Sequence, residues 1–108
     1  MAYITIDDFY AEADRCTVLT REQEKECFER MKNGDSDARR QLTESYMPMV
    51  AARLKHSAST RNSLSLALYC MSALEKAVDS FDFSQDSEPF SHRLSWALRQ
   101  TVAAYIAK

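Results

Sequence analysis

The chain has 108 residues, of which 45% are hydrophobic, and a formal net charge of -2 at pH 7. This size suits one domain with a modest core, and the charge argues against nucleic-acid binding driven by the electrostatics of the whole chain. With one Gly and two Pro, the sequence has few turn signals. It predicts an all-α, single-domain helical bundle of about five helices over residues 1–108.

Two capping boxes predict where the first helices begin. Thr5 and Thr20 each stand three residues before an Asp or Gln, so each hydroxyl can cap a helix whose third residue caps back. The pattern predicts a short first helix after Thr5 and a second helix over residues 21–33. Gly34 then supplies the stop signal of the second helix.

A proline interrupts the middle of the chain. Asp35 or Ser36 caps a third helix. Pro48 removes a backbone donor and clashes one turn back, so it kinks a helix or lies in the first turn of a new one. We therefore predict a bend near Met47, followed by helix to about His56.

The second half of the chain predicts two long helices. Residues 57–63, which are SASTRNS, predict a loop. Helices are expected over residues 64–79 and 90–107, with a polar loop over residues 80–89 between them. The last helix has an apolar stripe that we expect to face inward, formed by Phe90, Leu94, Ala97, Leu98, Thr101, Val102, Tyr105 and Ile106.

The sequence lacks the residue patterns of an enzyme or a metal site. Cys16, Cys27 and Cys70 are widely spaced, and His56 and His92 stand alone, so we expect no disulfide, no metal and no cofactor. No Ser or Cys has a partnered His, and one Gly cannot form a Gly-rich phosphate loop. No apolar run is long enough to span a membrane, and no signal-peptide pattern is present. We expect a cytoplasmic protein that is not an enzyme.

Four segments carry motifs in a recognisable order. They are FYAEADRCTVLTREQE at 9–24, KNGDSDARRQLTESYMPMVAARLK at 32–55, LEKAVDSFD at 74–82 and PFSHRLSWALRQTV at 89–102. In this order and spacing they resemble regions 1.2, 2.1, 2.2 and 2.3 to 2.4 of the bacterial RNA polymerase sigma factors of the sigma-70 family. The resemblance divides the chain into a region 1.2-like part, 1–34, and a region 2-like part, 35–108.

The resemblance implies a transcription initiation protein with two partners. In the family this domain docks on the clamp coiled coil of the RNA polymerase core and captures flipped bases of the −10 promoter element. Flipped bases need flat surfaces on which to stack, and phosphates need cations. An anti-sigma factor is a further partner that the resemblance makes possible. The resemblance does not extend to the family's regions 3 and 4, so we expect no helix-turn-helix that reads the −35 element.

Five residues match DNA-binding positions of the family motif. Trp96 matches a wedge at the edge of the duplex, and Gln100 matches a position that reads an upstream base pair. Arg99 matches a basic position, and Phe90 matches the Phe that opens the helix. Arg93 stands where the family usually has the aromatic residue that stacks on the flipped adenine. A guanidinium can also stack, but it forms a less shaped pocket.

Other positions depart from the family pattern. Ala97 replaces a second Trp, and the preceding loop, residues 84–88 (SQDSE), is acidic where the family is usually basic. The polar residues expected to hold the polymerase clamp are replaced by Ser65, Leu68 and Tyr69. These three form either an altered polymerase-binding surface or, for Leu68 and Tyr69, part of the core.

Two alternatives to a DNA-binding initiation protein stay open. One is a sigma-derived regulatory protein-interaction module or decoy, which would use the Leu68 and Tyr69 patch without binding DNA. The other is a helical bundle with no nucleic-acid role. The exposure of Trp96 tests the DNA-binding hypothesis against both alternatives, because a DNA-binding face requires Trp96, Arg99 and Gln100 to be exposed together.

Overall fold

The computed structural model describes residues 5–56, 60–82 and 88–107. These residues contain no β-strand and form six α-helices, which confirms the all-α bundle. The helices are α1 (Ile6–Arg15), α2 (Arg21–Lys32), α3 (Ser36–Ser45), α4 (Met47–Lys55), α5 (Leu64–Ser80) and α6 (Phe90–Ile106). The bend separates α3 from α4, and counting these two as one bent helix gives the five that were predicted. None of the described helices is both long and apolar enough to cross a membrane.

The predicted helix caps are present. The Thr5 hydroxyl accepts from the Asp8 amide, the Thr20 hydroxyl accepts from the Gln23 amide, and both boxes are closed reciprocally. Gly34 has a φ of 91°, where a residue without a Cβ is favoured. Its amide donates to the carbonyl of Met31 over 2.9 Å, and α2 ends there.

The bend at Pro48 also forms where it was predicted. α3 ends at Ser45 and α4 begins at Met47, so Pro48 lies in the first turn of α4. The missing N–H of a proline costs nothing there, because first-turn amides have no partner within the helix. Asp35, one of the two predicted caps, caps α3 by accepting from the amides of Asp37 and Ala38.

The two predicted loops are described only in part. Residues 57–59 of the first and 83–87 of the second lie outside the described residues. In the first loop, the buried Thr60 hydroxyl donates to the carbonyl of Leu54 over 2.8 Å, which ties the loop to the end of α4.

A cluster of four aromatic rings joins α6 to the rest of the bundle. Phe90, at the start of α6, lies 4.9 Å from Tyr46, 5.5 Å from Phe28 and 5.2 Å from Phe81, measured between ring centroids. Of these partners, Tyr46 directly precedes α4, Phe28 lies in α2, and Phe81 directly follows α5. Phe90 is only 1% exposed. Several contacts therefore fix the position of α6 at its N-terminal end.

The antiparallel packing of α5 and α6 fixes the other end. Leu94 and Leu98 of α6 are completely buried. Near the C-terminus of α6, the rings of Tyr69 and Tyr105 lie 5.9 Å apart, and the Ser63 hydroxyl donates to the Tyr105 hydroxyl over 3.1 Å. The prediction that Ile106 faces inward is wrong. Ile106 is 56% exposed, although its neighbour Tyr105 in the same turn packs against Tyr69.

Candidate nucleic-acid interface

The outward face of α6 is centred on Trp96. The Trp96 side chain is 60% exposed, and Arg93, Arg99 and Gln100 are exposed as well. Residues three, four and seven positions apart share one side of an α-helix, so these four form one surface. We call Arg93, Trp96, Arg99 and Gln100 the α6 face.

Local electrostatics favour an anion at the α6 face, although the chain as a whole is negative. The sequence of α6 contains Arg93 and Arg99 but no Asp or Glu. The Arg99 guanidinium lies 5.9 Å from the centre of the Trp96 ring, within range of a cation–π interaction. Arg99 pairs with no carboxylate among the residues that the structure describes. A flat indole next to such a cation is the combination that binds a nucleotide by its base and its phosphate together.

Arg93 lies at the N-terminal end of the α6 face and borders the aromatic cluster. Its guanidinium is 5.7 Å from the centre of the Phe81 ring. The Phe81 ring also contacts Phe90 and Phe28, so the edge of the core supports the Arg93 cation from below. A planar guanidinium in this position has one side toward a ring and is itself exposed.

Phe90, one of the five residues predicted to bind DNA, lies in the core and not on the α6 face. Its side chain is buried at 1% exposure and contacts the rings of Phe28, Tyr46 and Phe81. A nucleotide cannot reach it without opening the core. The family position suggested a ligand contact, but the helical periodicity placed Phe90 on the inward stripe, and the periodicity was correct. Phe90 anchors α6 and does not form part of its outer surface.

The predicted polymerase-binding residues lie on the outer side of α5. Leu68 is 47% exposed, Tyr69 is 52% exposed, and Ser65 is exposed one turn earlier. The suggestion that Leu68 and Tyr69 fill the core is therefore wrong, because Leu66, Ala67 and Cys70 occupy the inward side of the same turns. An apolar pair on a helix surface is a feature of protein-binding sites.

Sequence reasoning missed Arg53. This arginine lies on α4, is half-buried, and donates from its Nη2 to the Ser95 hydroxyl of α6 over 3.2 Å. It therefore lies next to the α6 face although it is distant in sequence. One signal in the sequence could have found it. There is no Asp or Glu between Glu44 and Glu75, so an Arg or Lys in that stretch has no acidic partner nearby in sequence.

The other polar features concern the thiols, the possible metal ligands and one cavity. Burial raises the pKa of the Cys70 thiol to about 11 and raises the pKa of Cys27, so both thiols stay protonated at neutral pH. Among the residues that the structure describes, no group of His, Cys, Asp and Glu could hold a metal ion. A cavity of about 960 Å³ lies between α2, α3 and the end of α5, and no residue of α6 lines it.

The fold and the α6 face together define a helical bundle with one cationic surface centred on a tryptophan. RNA polymerase sigma factor SigA of Clostridium acetobutylicum is 34% identical to 96% of this chain. No model of a known protein family matches the chain. The identity to SigA shows that the chain is related to the sigma-70 family. The chain spans about 29% of the length of that relative.

Proposed function

We propose that this chain is a divergent sigma-like transcription initiation protein, which binds the RNA polymerase core and single-stranded DNA of the −10 promoter element. The observation that supports this most directly is the α6 face, where Trp96 is 60% exposed beside Arg99 on a helix without acidic residues. In this role the protein acts in the bacterial cytoplasm and is not a catalyst. An anti-sigma factor is a further partner of the kind that the relationship suggests.

In the proposed DNA contact, three side chains have different roles. An unstacked base lies against the Trp96 indole, which contributes about 1–3 kcal/mol per stacked base. Arg99 contacts the adjoining phosphate, and its charge adds affinity without sequence information. Gln100 can pair with an adenine edge through its amide, so it supplies sequence preference. The exposure of all three side chains is compatible with simultaneous contact.

The same surface suggests that this chain holds an open strand better than it opens a duplex. Ala97, where the family has a second Trp, is half-buried and offers no ring. Arg93 replaces the aromatic residue of the base pocket, and Glu88 is exposed just before α6, where its charge repels phosphate. With one ring and few cations, this surface provides less binding free energy than the unstacking of several base pairs costs.

The outer side of α5 is the proposed polymerase-docking surface. Leu68 and Tyr69 are half-exposed and adjacent, and Ser65 adds a small polar group beside them. A coiled coil offers ridges of apolar and polar side chains, which an exposed apolar pair on a helix can contact. This assigns the two partners to different helices, the polymerase to α5 and the DNA to α6.

The fluorescence of Trp96 tests DNA binding. Since the chain contains one Trp, all indole emission comes from the α6 face. Titration with a −10-like single-stranded oligonucleotide at low salt is expected to quench this emission and to saturate. A Trp96→Phe variant, followed by anisotropy of a labelled oligonucleotide, should bind more weakly. An emission that does not change, together with unchanged anisotropy, would remove direct DNA contact.

A pull-down with purified RNA polymerase core tests the docking surface. The parent chain is expected to be retained, and Leu68→Asp is expected to lose retention because it places a charge in an apolar contact. Val18→Asp is the matched control, since Val18 is 70% exposed in the connection between α1 and α2. Failure of the parent chain to bind the core would reject the initiation role.

A further inference from the structure

Arg53 lies at the junction of three helices. It projects from the C-terminal half of α4, and its Nη2 donates to the Ser95 hydroxyl of α6 over 3.2 Å. Its charge also lowers the pKa of the Cys70 thiol of α5, against the larger effect of burial, which raises it. Arg53 is thus half-buried and hydrogen-bonded to α6.

The charge of Arg53 has no counter-ion in the described part of the chain. Arg30, Arg39 and Arg40 each lie within ion-pair distance of a carboxylate, whereas no described Asp or Glu pairs with Arg53. α4 and α6 contain no acidic residue. Partial burial of a charge is unfavourable unless an opposite charge compensates it. A site with a positioned, partly desolvated and unneutralised guanidinium is suited to bind an anion.

The position of Ser95 indicates which anion this is. Ser95 directly precedes Trp96 and lies one turn before Arg99, so the Arg53 guanidinium borders the α6 face on its α4 side. A strand with one base on Trp96 and one phosphate on Arg99 would carry its next phosphates toward this border if it ran in the direction of α4. A guanidinium is well matched to phosphate oxygens in geometry and charge.

We infer that Arg53 is a phosphate-binding residue, which directs a bound single strand from the α6 face across α4. This rests on the proposed DNA binding and adds to it a path for the strand. The strand leaves Trp96 over the acid-free surface of α4, and it avoids the acidic Glu88 at the start of α6. Arg53 therefore contributes affinity that depends on salt and not on base sequence.

The test is the salt dependence of binding to a −10-like single-stranded oligonucleotide, measured for the parent and for Arg53→Gln. Glutamine keeps a donor for Ser95 but removes the charge. Loss of one phosphate contact should reduce the slope of log K against log salt by about 0.7. The affinity should fall equally for the −10-like oligonucleotide and for a scrambled one. Arg53→Lys keeps the charge and should keep the slope.

Arg40→Gln is the matched control, because Arg40 is exposed on α3 and pairs with Asp37 over 3.3 Å. Its slope should equal that of the parent. Equal slopes for the parent and Arg53→Gln would overturn the inference, as would equal losses for Arg53→Gln and Arg53→Lys, which indicate a packing role. A loss of polymerase-core binding with an unchanged DNA slope would assign Arg53 to an acidic protein surface instead. If the parent binds no oligonucleotide, the proposed DNA binding itself is wrong. If the parent binds and Arg53→Gln keeps its slope, only the role of Arg53 is wrong, so the two results can be distinguished.

Discussion

Arg39 and Asp79 join α3 to α5 through two parallel hydrogen bonds, from Nε to Oδ1 over 2.7 Å and from Nη2 to Oδ2 over 3.0 Å. The hydrogen bond from Arg39 lowers the pKa of the Asp79 carboxyl. A folded-state pKa below the unfolded one means that the pair stabilises the fold above the ordinary pKa of aspartate. This contribution is lost as the pH falls through the lowered value.

We expect Asp79→Asn to reduce the free energy of unfolding at pH 7 by up to about 1 kcal/mol, because both side chains are partly exposed and solvent screens them. Urea denaturation as a function of pH measures this. The difference between the parent and Asp79→Asn should shrink as the pH falls below the ordinary pKa of aspartate, and it should vanish once the folded carboxyl is protonated as well. Asp14→Asn, an exposed position on α1, should have the stability of the parent at pH 7.

Phe90 and Trp96 should separate stability from binding. Phe90→Ala removes the central ring of the aromatic cluster and should cost about 3–5 kcal/mol of stability. Trp96→Ala removes an exposed ring and should change stability by less than about 0.5 kcal/mol. Urea denaturation followed by far-UV circular dichroism compares them. If Phe90→Leu keeps its stability yet loses DNA affinity, Phe90 contacts the ligand after all.

Gln100 and Arg99 should affect DNA binding in different ways. Gln100→Ala should reduce the preference for a −10-like over a scrambled oligonucleotide, because it removes a base-edge contact worth about 1–3 kcal/mol. Arg99→Gln should weaken binding to both oligonucleotides equally and should lower the salt slope. Parallel titrations with the two oligonucleotides measure both effects. An unchanged preference in Gln100→Ala would exclude base readout by this side chain.

Gly34 should tolerate substitution only at the cost of backbone strain. Its φ is 91°, and a Cβ added there would meet nothing within 4 Å. Gly34→Ala should therefore destabilise the chain by about 1–2 kcal/mol through backbone conformation alone. Gly34→Asn should cost less, since asparagine adopts positive φ more readily. Thermal unfolding of the two variants tests the order, and equal costs would contradict a conformational origin.

Most of the fold could be predicted because its signals are local. Thr5, Thr20 and Gly34 act on backbone groups within a few residues, and Pro48 acts within one turn, so the sequence alone was sufficient for them. The error at Ile106 has a different origin. Helical periodicity places Ile106 in the stripe, but it does not show how far neighbouring elements cover each position of a last turn.

The candidate site was predictable only in part, because it depends on contacts between distant elements. The sequence could not decide between exposure and burial for Leu68 and Tyr69, since apolar residues at these positions are compatible with either the inward or the outward side of α5. Arg53 was missed because the sequence does not show which distant residue its side chain meets. Its neighbour Ser95 is brought close because α4 and α6 both pack against α5.

The exposure of Trp96 has a consequence for experiments on this molecule. Its indole is 60% exposed in the folded state, so denaturation changes the surroundings of the single fluorophore less than it would for a buried indole. Its emission therefore responds less to unfolding than the emission of a core tryptophan does, and it responds to whatever covers α6. A variant that loses the ligand response can thus be distinguished from one that loses its fold by comparing emission with circular dichroism.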